Sequence, residues 1–174
     1  MNDTLRIRRM TLADCRPVAE IRVGGWQTAY AGLIPQPYLD AMDVAQDTER
    51  RRELLLQPGN PVVSLVAERA GQVIGWAAYG PHRDGEVHTE NAELYALYVR
   101  PGHFGSGVGS ALLRESIARC TTAGHERMLL WVLKENTRAR RFYERHGFTP
   151  DGTEEPFEVD GVEVPEVRYV RGAL

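Results

Sequence analysis

The run Val99-Arg100-Pro101-Gly102-His103-Phe104-Gly105-Ser106-Gly107-Val108-Gly109-Ser110 carries an apolar strand straight into a helix, with a glycine at every second position from 105 to 109. Glycine has no Cβ, so an anion can approach the backbone of such a turn closely. The N–H groups that open a helix have no partner within it, and the helix dipole adds positive potential there. A phosphate or pyrophosphate is the guest this pattern fits. A turn that merely packs a helix tightly on a sheet would read the same way if it stood alone. Two other phosphate loops drop out. A Walker loop needs Gly-Lys-Ser/Thr, which is absent. A dinucleotide fingerprint wants an acid at the end of the next strand, whereas Glu126 precedes that strand.

Outward from this turn, Ala92 to Val99 reads as the strand that feeds it, and the helix runs to about Ala123. Upstream, Leu5 to Met10 alternates apolar and charged, the mark of a strand with one buried face. Thr11 or Asp14 then caps a helix through Val18, Ile21, Arg22 and Trp26, which Tyr30 to Pro35 breaks. Helical stretches follow around Pro37 to Met42 and from Asp47 to Leu56. Val62 to Glu68 and Val73 to Tyr79 form a hairpin about Arg69-Ala70-Gly71-Gln72, and Gly80 to Thr89 reads as a polar loop. Downstream come a strand at Met128 to Leu133 and a short helix from Asn136 to Gly147. A tight turn at Val159-Asp160-Gly161-Val162 and a last strand at Val164 to Val170 complete the chain. The order is helices, a meander, then β-α-β-α-β, in one domain over residues 1–174. It predicts an α/β fold of the α+β type: a mixed, mostly antiparallel sheet with helices on both faces.

Composition narrows the function classes. Of 174 residues 43% are hydrophobic and 26% charged, which fits a globular chain and not a disordered one. The net charge of −3, without any Lys/Arg block, disfavours nucleic acid as a partner. No apolar run approaches the roughly 20 residues that span a bilayer, and the N-terminal residues lack a signal-peptide core. No membrane partner and a cytoplasmic location are therefore expected, with a homodimer left open. Cys15 and Cys120 stand far apart outside any metal-type spacing and read as reduced, buried thiols. The loop His82-Arg83-Asp84-Gly85-Glu86-Val87-His88 alternates histidine and carboxylate, yet a polar hairpin explains it as well, and no metal is expected.

After the Met128 to Leu133 strand, Asn136 is a good helix N-cap, and Ala139, Phe142, Tyr143 and His146 fall on one helical face. Asn136 and Tyr143, seven apart, share a side two turns apart. By themselves they read equally as a cap and a core aromatic.

Together the segments Leu97-Tyr98-Val99-x-Pro101, Gly105-x-Gly107-x-Gly109, Asn136, Phe142-Tyr143-Glu144 and Gly147-Phe148 resemble the GNAT superfamily of N-acetyltransferases. Trp26-Gln27-x-x-Tyr30-x-Gly32-Leu33-Ile34-Pro35 is similar to a set of its bacterial members. The likeness covers nearly the whole chain in the right order. It implies acetyl-CoA as co-substrate, an amine acceptor, and a sheet splayed after the fourth strand so that a V-shaped gap opens beside Val99. It further implies that the backbone of Leu97, Tyr98 and Val99 pairs with the pantetheine amides. Gly105, Ser106, Gly107, Val108, Gly109 and Ser110 would cradle the pyrophosphate, Asn136 would hold the pantetheine arm, and Tyr143 would stand by the sulfur. The family usually has Gln or Arg just before the first of these glycines; Phe104 stands there instead, which implies weaker or altered coenzyme binding.

Amide formation from a thioester needs a neutral amine, a stabilised oxyanion and a protonated leaving thiolate. An amine with a pKa near 10.4 must first lose a proton, and a carboxylate working through water can take it. Glu93, on the strand lining the gap, is the candidate, although a solvent-facing strand residue would look the same. Tyr143 would protonate the thiolate, and a backbone N–H near Val99 would meet the oxyanion. Trp26 and Tyr30, at helical spacing, can wall an acceptor pocket or belong to the core. Trp131 resembles a position where some relatives carry an acid and cannot act as a base. Asp84, Glu86, Glu90 and Glu93 read as an acidic rim that favours a cationic small-molecule amine. The competing readings are a coenzyme-binding regulatory module without turnover and an enzyme acting on protein N-termini or lysines.

Overall fold

Seven strands form the sheet of the computed structural model, which describes residues 3–172 and 174. They are β1 (Arg6–Arg9), β2 (Val63–Arg69), β3 (Gln72–Asp84), β4 (Val87–Val99), β5 (Arg127–Leu133), β6 (Thr149–Val159) and β7 (Val162–Gly172), in spatial order β1-β2-β3-β4-β5-β7-β6. Every neighbouring pair is antiparallel except β4 and β5. The helices are α1 (Cys15–Ala29), α2 (Gln36–Asp40), α3 (Val44–Leu56), α4 (Val108–Thr122) and α5 (Thr137–Arg145). The α/β class with a mixed, mostly antiparallel sheet is as expected.

Alternation along the central strands assigns the two faces. Leu65, Ala67 and Ala77 point to one side, where Val108, Leu112, Leu113 and Cys120 of α4 cover them. Val66, Trp76 and Ala78 point to the other, against Cys15, Val18 and Ile21 of α1. Helices thus pack on both faces.

Two expectations need correction. Residues 80–89 are not a polar loop: β3 and β4 pair as far as Asp84 and Val87, leaving Gly85-Glu86 as the turn. His82, 6% exposed, and Tyr79, 7% exposed, hold this extension to the body of the protein while Arg83, Asp84 and Glu86 face out. Strand β6 was not read from the sequence, because it is an edge strand, almost wholly exposed and marked by Pro150, Gly152 and Pro156. Proline is tolerated there because one edge of the strand needs no donor. Smaller shifts are the start of α3 at Val44, where Asp43 accepts a hydrogen bond from the Gln46 N–H at 2.7 Å, and the placement of α2 at Gln36–Asp40.

The decisive feature for function lies in β4. Against β3 the register slips between Ala78↔Ala96 and Tyr79↔Leu94, so Tyr95 is an extra residue, a β-bulge. Against β5 pairing covers only Ala92 to Leu94. From the bulge onward β4 still pairs with β3 through Val99 but leaves β5, and the sheet opens. The splay expected after the fourth strand is present, and the bulge is its local cause.

Candidate active site

The opening between β4 and β5 is the mouth of a cavity of about 680 Å³. Its β4 wall runs from Glu93 to Val99 and its β5 wall from Trp131 to Leu133. Because the β5-facing edge of Tyr95 to Val99 has no strand beside it, backbone groups there can take an extended ligand as if it were another strand.

The glycine turn closes one end. Gly107 is the N-cap of α4 with φ of 83°, a left-handed conformation, and Gly105 has φ of 75°. A Cβ built on either would meet no protein atom within 4 Å, so the space over the turn is free for a ligand. The first helical bond joins the Ala111 N–H to the Gly107 carbonyl, leaving the N–H groups of Val108, Gly109 and Ser110 without helical acceptors. Gly105, Gly107, Val108, Gly109 and Ser110 all line the cavity. Ser106 does not; its Oγ donates to the His103 carbonyl at 2.6 Å. The Val108 side chain is buried in the core, so that residue can offer only its backbone. The Ser110 Oγ is engaged with His146 Nε2 at 3.0 Å.

Asn136 and Tyr143 line the same cavity from α5. Asn136 Oδ1 accepts from the Ala139 N–H at 3.2 Å, so the carboxamide oxygen caps the helix and its Nδ2 group is left to donate. The Tyr143 ring is wedged edge-on between Phe142 and Phe148, at 5.3 and 5.9 Å. Burial pushes its hydroxyl above the ordinary tyrosine range, so it stays protonated across working pH.

The opposite end is built from side chains distant in sequence. Trp26 of α1 and Tyr30, the C-cap of that helix, stack edge to face at 5.0 Å, Phe157 of β6 lies 6.2 Å from Trp26, and Ile34 completes the wall. The Tyr30 and Tyr98 hydroxyls are 3.3 Å apart. Tyr98 reaches this position because residue 25 is glycine: a Cβ there would sit 2.8 Å from the Tyr98 ring. Two carboxylates complete this end. Glu93 is raised by burial, opposed by its hydrogen bond to His82, whose Nδ1 lies 3.1 Å from Glu93 Oε2. Glu166, on β7, is pushed up to about 7 by burial and by the like charges of Glu155 and Glu93.

The structure therefore brings together Glu93, Leu97, Tyr98, Val99, the glycine turn, Asn136, Tyr143, Trp26 and Tyr30 around one cavity. The acidic rim is corrected: Asp84 and Glu86 sit exposed at the far tip of the β3–β4 hairpin, and of the four acids only Glu93 lines the gap. Glu166 and Phe157 were missed. The available signal was Val164 and Glu166 at strand alternation, which puts a glutamate on the face of a buried valine. Cys15 and Cys120 are buried, each 1% exposed, and neither lines the cavity. Among the described residues no group of three metal-ligating side chains is found, and no helix is long and apolar enough to cross a membrane.

A splayed sheet, a phosphate-type turn and a largely apolar gap with two carboxylates match a known arrangement. Residues 26–148 match the model of the acetyltransferase (GNAT) family. The chain belongs to the GNAT family. Over 162 residues it is 29% identical to YuaI, an uncharacterized N-acetyltransferase of Bacillus subtilis, covering 92% of this chain and 89% of that one. An L-methionine sulfoximine/L-methionine sulfone acetyltransferase of Salmonella typhimurium is 30% identical over 151 residues, 83% of this chain and 80% of the relative. A spermidine N(1)-acetyltransferase of Thermoplasma acidophilum is 22% identical over 154 residues, 87% of this chain and 92% of the relative. In fold, the PaiA N-acetyltransferase of Thermoplasma acidophilum, solved with coenzyme A, superposes with a TM-score of 0.75 over 97% of this chain and 99% of its own, at 20% identity. This GNAT chain is thus an enzyme of the N-acetyltransferase class, a family whose general reaction is acetyl transfer from acetyl-CoA.

Proposed function

We propose that the protein transfers the acetyl group of acetyl-CoA to a primary amine on a small molecule, by direct attack with both substrates bound. The observation that carries this reading is the single gap, with a phosphate-type turn at one end and two carboxylates among aromatic walls at the other. A GNAT relative in fold that was solved with coenzyme A supports the co-substrate. Two relatives whose names specify small amines support the acceptor class.

Bound acetyl-CoA supplies an activated thioester. The protein's own groups do the rest. The turn from Gly105 to Ser110 holds the pyrophosphate by backbone N–H groups, and the free edge of Leu97 to Val99, with Asn136, holds the pantetheine arm in the gap. A backbone N–H at this edge faces the thioester carbonyl oxygen as charge develops on it. Glu93, steadied by His82, takes the proton from the incoming ammonium, directly or through water. The amine nitrogen forms the new bond to the acetyl carbon as the carbon–sulfur bond breaks; the thiolate receives the Tyr143 proton, and the second proton lost by the amide nitrogen returns to the tyrosinate, directly or through water. Trp26, Tyr30 and Phe157 wall the acceptor, and Glu166 adds negative charge that draws a cation. Neither cysteine reaches the cavity to form an acetyl-enzyme, which supports direct transfer.

The test is free-thiol release from acetyl-CoA against a panel of amines that includes polyamines, amino-acid analogues and lysine peptides. Release stimulated by small cationic amines supports the proposal. Binding of acetyl-CoA with no release for any amine supports a regulatory module, and release only with peptides supports a protein-modifying enzyme.

A further inference from the structure

The glycine turn offers only backbone dipoles to a ligand that carries two charges, on a protein whose own net charge is −3. A side-chain cation at that end would matter; two arginines, Arg138 and Arg145, line the cavity, and Arg138 is the one that lies over Phe104 at the turn. Its guanidinium carbon lies 4.0 Å from the centroid of the Phe104 ring, the residue that leads into Gly105. Among the described residues it makes no ion pair, whereas Arg168 is bound to Asp151 at 2.6 Å and Arg140 to the Tyr169 hydroxyl and the Lys134 carbonyl.

Its place on α5 sharpens the point. Asn136 is the N-cap, so Arg138 is the second helical residue, with no acidic residue in that turn. A cation there opposes the helix dipole and gains nothing from it. Contact with the Phe104 ring face holds the guanidinium at the turn and leaves its N–H donors available, the groups that grip a phosphate with paired hydrogen bonds.

We propose that Arg138, held on the Phe104 ring, is the side-chain ligand of the coenzyme pyrophosphate, completing the site that the glycine turn begins. Phe104 then acts as the platform for the arginine and does not touch the phosphate. This assignment rests on the acetyl-CoA reading above.

Calorimetric titration of the full chain with three probes tests it: acetyl-CoA, its 3′-dephospho form, and S-acetylpantetheine, which lacks the pyrophosphate. Arg138→Gln should weaken acetyl-CoA about tenfold, the scale of one exposed charge-assisted contact. The same loss should appear with the 3′-dephospho form, and S-acetylpantetheine affinity should not change. Phe104→Ala should weaken acetyl-CoA by a smaller factor and add nothing in the Arg138→Gln background, since the two act as one unit. Equal losses with S-acetylpantetheine would mean a merely structural role and overturn the assignment. A loss confined to the 3′-phosphorylated probe would move Arg138 to that phosphate and overturn it as well. Unaltered acetyl-CoA binding by Arg138→Gln would also reject it. Failure of the unaltered protein to bind acetyl-CoA would instead reject the reading on which the assignment rests.

Discussion

The two ends of the gap are built on different principles. The turn end is local: twelve consecutive residues, Val99 to Ser110, supply a strand end, a glycine turn and a helix start, and what the turn itself offers the cavity is main-chain N–H groups, to which the proposed Arg138 contact adds a side chain. The opposite end, the proposed acceptor end, is assembled from α1 and its C-cap, β4, β6 and β7, and it is lined by side chains: Trp26, Tyr30, Glu93, Phe157 and Glu166. A main-chain site tolerates side-chain change at most positions but is destroyed by a Cβ at the wrong glycine. A side-chain site can be retuned one residue at a time. The turn end is therefore the part expected to fail outright on substitution, and the acceptor end the part expected to shift in pH dependence and preference.

The largest effect should come from Gly107→Val. A β-branched residue at φ of 83° is strained, and its side chain would occupy the open space over the turn. Saturating acetyl-CoA should raise the melting temperature of the unaltered protein and leave that of the variant where it is. Circular dichroism is the check that the variant is folded. Retained stabilisation would show that the turn is only a packing device.

Tyr143→Phe comes next, and it belongs to neither end but to the point where they meet. The ring packing with Phe142 and Phe148 is kept and the donor is lost, so kcat should fall by about 10²–10⁴-fold while acetyl-CoA still binds. A near-normal kcat would reduce Tyr143 to a core aromatic.

How much of this the sequence shows depends on the same contrast. The turn end, Asn136 and Tyr143 are legible because glycine spacing, capping and helical periodicity are local rules. The acceptor end is not, because Phe157 and Glu166 lie on the last two strands of the chain, β6 and β7, one of them unread. Their approach to Trp26 depends on the strand order β5-β7-β6. The bulge at Tyr95 left no mark either: Leu94-Tyr95-Ala96-Leu97 looks like uninterrupted strand, and only its register against β3 shows the extra residue. The acidic rim failed for a related reason. Four acids close in sequence are spread over about ten residues of a hairpin, and at roughly 3.3 Å per residue most of them end far from the gap.

The two carboxylates at the acceptor end separate by pH. Glu166 at about 7 binds more protons in the folded than in the unfolded protein between its ordinary range and 7, so it lowers stability as pH rises through that window. Glu166→Gln should therefore raise the melting temperature at pH 8 and leave it nearly unchanged at pH 4. An equal gain at both would show that packing, not charge, is responsible. In turnover, Glu93→Gln should lose rate most at low pH and recover as pH nears the amine's own pKa, as expected for loss of a base. Equal loss at every pH would make Glu93 a positioning residue.

The smallest expected effect is the salt response of the acceptor. Attraction of a cation toward Glu93 and Glu166 is screened by added salt, so the apparent KM for a cationic amine should rise modestly between low and physiological ionic strength. A salt-independent KM, or a preference for anionic acceptors, would show that the carboxylates do not recruit the substrate.

The central claim is that one gap holds both substrates and passes the acetyl group directly between them. Initial rates measured over a grid of acetyl-CoA and amine concentrations test it most directly. The account predicts double-reciprocal lines that intersect, with no acetylated protein detected by intact mass when acetyl-CoA is supplied alone. Parallel lines together with a stoichiometric acetyl-protein would contradict it.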